Sequence, residues 1–137
     1  MWWIYALLSA FFASLTAIFA KIGISNVNSD LATAIRTVVI LVVAWAIVFA
    51  RKEQKGLVTL SQHNLLFLVI SGIATGLSWI FYFKALQAGK VSQVAPVDKL
   101  SVALTIVLAA VFLKEVLTIK LVAGALLIIA GTLVLIL

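Results

Sequence analysis

The sequence has no cysteine, one proline and one histidine, and only four acidic residues among its 137. The absence of cysteine excludes disulfides, thiolate metal sites and cysteine nucleophiles. We find no phosphate-binding glycine loop, no metal-ligand cluster and no nucleophile–base pair, so we expect neither a cofactor nor an enzyme. The single histidine, His63, lies between two apolar runs and is expected to be a solvated loop residue.

Charge is scarce and apolar residues are abundant. Charged residues make up 10% of the chain and apolar residues 66%, against about 25% and 45–50% in soluble domains. A folded chain of this length has too much surface to hide so many apolar side chains from water. The composition therefore predicts an integral membrane protein, with the lipid bilayer as its surroundings. We attribute the net charge of +6 to loops and to sites within the membrane, and expect no nucleic-acid partner.

Five apolar runs are long enough to cross a bilayer, which requires about 20 residues each. Transmembrane β-strands would alternate polar and apolar residues, and these runs do not. The predicted fold is an all-α integral membrane protein, a single domain over residues 1–137. Its predicted helices cover residues 2–22, 31–50, 65–88, 93–113 and 119–137.

Residues typical of helix ends separate the runs. Side-chain oxygens near the start of a helix accept its unpaired N–H groups, and glycine is common after its end. We expect caps from Ser29 or Asp30, Ser92 and Thr118, an end at Gly89, and Pro96 in the first turn of the fourth helix. The apolar piece Leu57–Leu60 in the longest loop is expected to lie at the membrane interface.

The loop charges favour an orientation with the N-terminus inside, since basic loops tend to remain in the cytoplasm. The predicted loops on that side hold Arg51, Lys52, Lys55, Lys114 and Lys120, whereas those on the other side hold Lys21 and Lys90. Basic residues within the spans make the two sides nearly equal, so insertion in both orientations (dual topology) stays open. An antiparallel homodimer would then supply two inverted halves, as in many transporters.

Four ionisable side chains lie within the predicted spans: Arg36, Lys84, Asp98 and Lys99. Such residues cost about 2.5–3.5 kcal/mol at the centre of a membrane helix and usually have a function. Long basic side chains can instead extend to the headgroups. The Asp98 side chain is too short to do so, and its candidate partners are Lys84, Lys99 and Arg36.

Three of these four side chains are cations and one is an anion. In a water-filled cavity, that excess of positive charge would favour an anionic or zwitterionic substrate. Cations beside Asp98 also stabilise its ionised form, which argues against a role as a simple proton carrier. A purely structural ion pair is the alternative interpretation of Asp98.

Two polar stripes support a cavity. On the third helix the spacing places Ser71, Thr75, Ser78 and Tyr82 on one face, and on the fourth it aligns Asp98, Ser101 and Thr105. Trp79 and Tyr82 could stack on a substrate, although packing or anchoring at the membrane interface is the favoured interpretation of Trp79 alone. Hydrogen bonding between packed helices is the alternative role for the hydroxyls, and Gly72, Gly76, Gly124 and Gly131 are predicted to be helix-packing positions.

An ordered set of motifs runs through residues 72–131. It consists of Gly72 and Gly76, then Trp79–Leu86, Val94–Val97, Phe112–Leu117 and Gly124–Gly131, and it is preceded by Ala34-Ile35-Arg36. This set resembles the EamA domain of the drug/metabolite transporter superfamily. The resemblance implies one five-helix half of a ten-helix inverted-repeat transporter of metabolites, with a cavity between the halves.

The resemblance and the residues together favour a secondary transporter. We expect an exporter of small polar, anionic or zwitterionic solutes that works as a homodimer by alternating access in a bacterial or archaeal cytoplasmic membrane. The small multidrug-resistance relatives carry an acidic residue in the first helix, but Trp2–Ala20 has none, which argues against their proton-coupled drug export. A non-transporting partner subunit and a lipid flippase are the alternatives.

Overall fold

The computed structural model describes residues 1–137 and consists of helices without any strand. Five helical spans are long and apolar enough to cross a membrane, as predicted. The helices are α1 (Trp2–Gly23), α2 (Ser29–Ala50), α3 (Gln62–Ala88), α4 (Val91–Asp98), α5 (Leu100–Phe112) and α6 (Ile119–Ile136), with a 3₁₀ helix at Glu53–Thr59. Together, α4 and α5 form the fourth span.

The chain divides into two compact units. The first contains Met1–Ile18 and Ala88–Leu137, and in it α6 contacts both α4 and α5. The second contains Phe19–Gln87, and in it the 3₁₀ helix contacts α2. The end of α1, all of α2 and almost all of α3 therefore belong to one unit.

The fourth span is interrupted, where we predicted one continuous helix. Its first helix begins at Val91, so Pro96 lies inside the helix and not in the first turn, and that prediction was wrong. Proline has no N–H to donate to the preceding turn, which weakens the helix around it. The helix ends at Asp98, and the Lys99 N–H is shared between the carbonyls of Ala95 and Pro96, at 3.4 and 3.0 Å.

The helix caps differ from prediction at two of three starts. Asn28, not Ser29 or Asp30, caps α2, since its side chain accepts the N–H groups of Asp30 and Leu31 at 2.9 and 3.2 Å. α4 starts after Lys90, in extended backbone without a side-chain cap, so Ser92 does not fill that role. The Thr118 cap is confirmed by a 3.3 Å bond from the Leu121 N–H, and α3 ends at Ala88, directly before Gly89.

Few side chains are buried within the single chain. Phe83 and Leu86 are the large side chains with least exposure, and between 0 and 6% of each span is buried. Apolar surface of this extent is unstable in water and is typical of helices that face lipid. At Gly72, Gly76, Gly124 and Gly131 an added Cβ would meet no atom within 4 Å. The close packing predicted for these glycines therefore does not occur within the single chain.

Candidate functional site

Side chains from α1 and α3 hold one end of the second unit together. The Lys21 ammonium donates a hydrogen bond to the Leu86 carbonyl near the end of α3. In return, the Gln87 amide donates to the carbonyls of Ile24 and Val27, which follow α1. Helix ends leave carbonyls without partners, and these bonds satisfy some of them. The result is a fixed arrangement of helix ends around the charged residues described next.

The carboxylate that pairs with Lys84 belongs to Asp30. The Lys84 Nζ lies 3.2 Å from Asp30 Oδ1, and both side chains are about half exposed, at 51% and 55%. From the sequence, Asp30 was predicted only as a helix cap and not as a site residue. The alternation of loops places the start of α2 and the end of α3 on the same membrane face. That topology was the available signal that Asp30 and Lys84 could meet.

The Arg36 guanidinium lies against two aromatic rings of α3. Its central carbon is 4.4 Å from the Trp79 ring centroid and 5.4 Å from that of Phe83. Residues four apart share a helix face, which is why both rings meet the same cation. A cation over an aromatic face is attracted by the negative potential of the ring. Trp79 therefore packs on Arg36 in this structure, and its contact with a substrate stays a prediction.

Arg36 has no carboxylate partner in the chain. The two ion pairs of the structure join Lys84 to Asp30 and Lys99 to Asp98. Arg36 is partly buried, and Phe83 beneath it is 2% exposed. The second unit thus holds, inside a membrane span, a cation that lies against two aromatic rings and that no carboxylate neutralises.

In the first unit, Asp98 pairs with its chain neighbour. The Lys99 Nζ lies 3.6 Å from Asp98 Oδ2, so Lys99 is the partner among the three candidates that the sequence suggested. The pair lies where α4 meets α5, at the interruption of the fourth span. Nearby, the buried Thr132 hydroxyl on α6 has two carbonyl acceptors, Ile128 at 2.8 Å and Pro96 at 3.3 Å. This link between α6 and α4 was not predicted from the sequence.

The hydroxyls of the polar stripes bond within their own helices. Thr75 donates to the Ser71 carbonyl at 2.9 Å, and Thr105 donates to the Ser101 carbonyl at 2.8 Å. Such bonds to the preceding turn satisfy a threonine hydroxyl without any partner helix. Ser71, Thr75 and Ser78 are exposed and Tyr82 is partly buried. The stripe on α3 therefore presents small polar side chains on an open face.

The chain has five spans that are long and apolar enough to cross a membrane, which defines a multi-pass membrane protein. Its two ion pairs lie near helix ends, and one arginine within a span has no carboxylate partner. The model of the EamA-like transporter family matches residues 1–137, and the chain belongs to that family. The resemblance inferred from the motifs is confirmed.

Two curated relatives resemble the chain, and the name of the first agrees with this assignment. The chain is 48% identical over 134 residues to a Sinorhizobium protein described as an uncharacterized transporter in the cobO 3' region. That match covers 98% of this chain and 95% of the relative. It is also 32% identical over 83 residues, 61% of each protein, to an uncharacterized protein of Methanocaldococcus jannaschii. No solved structure matches the chain.

Proposed function

We propose that this chain is a secondary transporter of small polar solutes that carry an anionic group, and that Arg36 binds this group. The observation that carries the proposal is the placement of Arg36 against Trp79 and Phe83 without a carboxylate. Charged residues within a membrane span normally find a counter-charge or line a water-filled path. A substrate carboxylate or a similar oxyanion would supply that counter-charge.

The geometry favours Arg36 over the two lysines as the anion-binding group. Lys84 and Lys99 already have carboxylates at 3.2 and 3.6 Å, which reduces the charge that each offers to a substrate. A guanidinium whose face lies against aromatic rings can still bind a carboxylate in a bidentate manner through its N–H edge. The open stripe of Ser71, Thr75 and Ser78 would supply hydroxyls along the path.

We propose further that the working unit is a homodimer in which two five-span chains rock between inward-open and outward-open states. Two observations support a second copy. The family resemblance implies ten helices, of which this chain supplies five. The four glycines also have open space around them, which would allow close approach by helices of another chain. We place the dimer in a bacterial or archaeal cytoplasmic membrane.

Transport by purified protein in proteoliposomes tests the substrate site. The vesicles are loaded with a mixture of amino acids, organic acids and neutral sugars, and release is followed by mass spectrometry. We expect selective release of anionic or zwitterionic solutes. Arg36→Gln should slow this release about 10–100-fold, because a hydrogen bond to a charged group contributes about 1.5–3 kcal/mol.

The control is Lys90→Gln, which removes a cation from a loop and should leave release unchanged. Normal release by Arg36→Gln, with helix content and dispersity intact, would refute the site assignment. Movement of a labelled phospholipid across the bilayer without release of any solute would favour a flippase.

Thiol labelling tests the arrangement of the dimer, because the chain has no native cysteine. Single cysteines at Lys55 and Lys90 are labelled in intact cells with a membrane-impermeant reagent, before and after permeabilisation. Partial labelling of both sites from outside is the result expected for an antiparallel homodimer. Labelling of only one site would refute the antiparallel arrangement, and co-purification of a stoichiometric second protein would favour the partner-subunit alternative.

A further inference from the structure

The segment between α2 and α3 is folded into a turn and a short helix. α2 ends at Ala50, and Lys52 then adopts a left-handed backbone conformation with φ of 58°. The 3₁₀ helix Glu53–Thr59 follows. Because both flanking helices are long and apolar enough to span the membrane, this segment lies at a bilayer surface. A folded segment in that position meets lipid headgroups.

Exposed side chains of this segment combine positive charge with apolar surface. Arg51, Lys52 and Lys55 are exposed, and Glu53 is the one acidic residue among them. Val58 is 91% exposed and Leu57 is 53% exposed. Basic residues beside apolar side chains are characteristic of segments that lie in the membrane interface, where charge attracts anionic lipid and apolar groups insert. Neither of the chain's ion pairs involves these basic residues.

An open depression of about 410 Å³ lies beside the segment, at the start of α3. Its lining combines the apolar residues Leu60, Phe67 and Leu68 with the polar residues His63 and Asn64, which lie one turn before Phe67 and Leu68 on α3. The rings of His63 and Phe67 lie 4.8 Å apart. A lining that changes from polar to apolar matches the boundary between a phospholipid headgroup and its acyl chains.

We propose that residues 51–68 form a binding site for an anionic phospholipid. Arg51, Lys52 and Lys55 contact the headgroup, while Leu57 and Val58 insert into the interface. The depression takes the upper part of an acyl chain. Charge complementarity selects the lipid, since each basic residue near an anionic membrane surface strengthens binding about fivefold, and salt screens the effect. This site is separate from Arg36, so it stands whether or not the chain transports a solute.

Quenching of a probe on the full-length protein tests the site. Val58→Cys, labelled with a bimane dye, is placed in nanodiscs of mixed phosphatidylglycerol and phosphatidylcholine. A small fraction of one lipid or the other carries a nitroxide. We expect the labelled anionic lipid to quench at least fivefold more strongly than the labelled neutral lipid at low salt, because three basic residues act together. At about 0.5 M salt the ratio of quenching by the anionic lipid to quenching by the neutral lipid should fall towards one.

Two double variants test whether the preference for anionic lipid comes from the basic residues of this segment. Lys52→Gln with Lys55→Gln should abolish most of it, whereas Lys114→Gln with Lys120→Gln removes the same charge from other predicted loop positions and should leave it unchanged. Equal quenching by both lipids in the parent protein, or no quenching by either, would overturn the proposal. An equal loss in both double variants would also overturn it, because the preference would then come from net charge. If a variant does not fold, the salt dependence of the parent protein is the test: loss of the preference for anionic lipid at high salt supports the proposal, and an unchanged preference overturns it.

Discussion

Replacing Trp79 with leucine removes the ring nearest to the Arg36 guanidinium and keeps an apolar side chain on α3. The ring centroid lies 4.4 Å from the guanidinium carbon, while the second ring, Phe83, lies at 5.4 Å and remains. A cation–π contact contributes about 0.5–1 kcal/mol when exposed and about 2 when desolvated. Since Arg36 is partly buried, we expect an energetic coupling of about 1 kcal/mol between the two side chains.

A double-mutant cycle measures this coupling. Trp79→Leu, Arg36→Met and the double variant are unfolded with a denaturing detergent in mixed micelles, and helix content is followed by circular dichroism. The cycle removes the separate effects of losing a ring and of losing a charge. Any gain from deleting an unneutralised cation therefore does not enter the coupling free energy.

Trp45→Leu is the matched control. Trp45 lies on α2, as Arg36 does, but its ring packs at 5.6 Å on Phe49. Distant side chains without shared partners usually couple by less than about 0.3–0.5 kcal/mol. A coupling below about 0.3 kcal/mol for Trp79, or one equal to that of Trp45, would refute the inference that Trp79 holds Arg36.

The remaining predictions concern contacts that the structure revealed. Asn28→Ala should destabilise the fold by about 1 kcal/mol in the same detergent titration, because it removes the cap of α2, whereas Ser92→Ala should change it by less than about 0.5. Asp30→Lys and Lys84→Asp should each slow solute release in the proteoliposome assay, and the double variant, which exchanges the two charges, should restore most of that release. Failure of the double variant to restore release would show that transport does not depend on this ion pair. Thr132→Val should cost about 1 kcal/mol, since the Pro96 carbonyl on α4 loses the hydroxyl that donates to it, and Thr132→Ser should retain most of that stability. Equal losses in the two variants would point to packing instead.

Local sequence patterns were sufficient for the spans. The run Trp2–Ala20 has no charge, and the structure places α1 at Trp2–Gly23, within a residue or two of the predicted helix. Thr118 was also found from its position alone, because an N-cap is decided by the few residues beside it. Asn28 shows the limit of such reasoning. It precedes two other good caps, and only the direction of its side chain shows which residue accepts the N–H groups.

The candidate site was predicted in part. Arg36 was recognised from its position inside an apolar run, and Trp79 was singled out as a substrate-stacking or packing residue, without its partner. Its contact with Arg36 depends on which face of α2 meets which face of α3, and no residue spacing within one helix contains that information. Asp30 was missed because capping preference gave it an adequate role at the end of a helix.

The sequence by itself determined the number of membrane spans, their approximate bounds, the family and the presence of cations within the spans. These properties depend on hydropathy and motif order, which are read along the chain. The tertiary structure alone decided that Asp30 pairs with Lys84 and that two aromatic rings contact Arg36, and among the suggested partners of Asp98 it selected the neighbouring Lys99. An ion pair requires approach to within about 4 Å. For charges on different helices, that distance is set by how the helices rotate and cross.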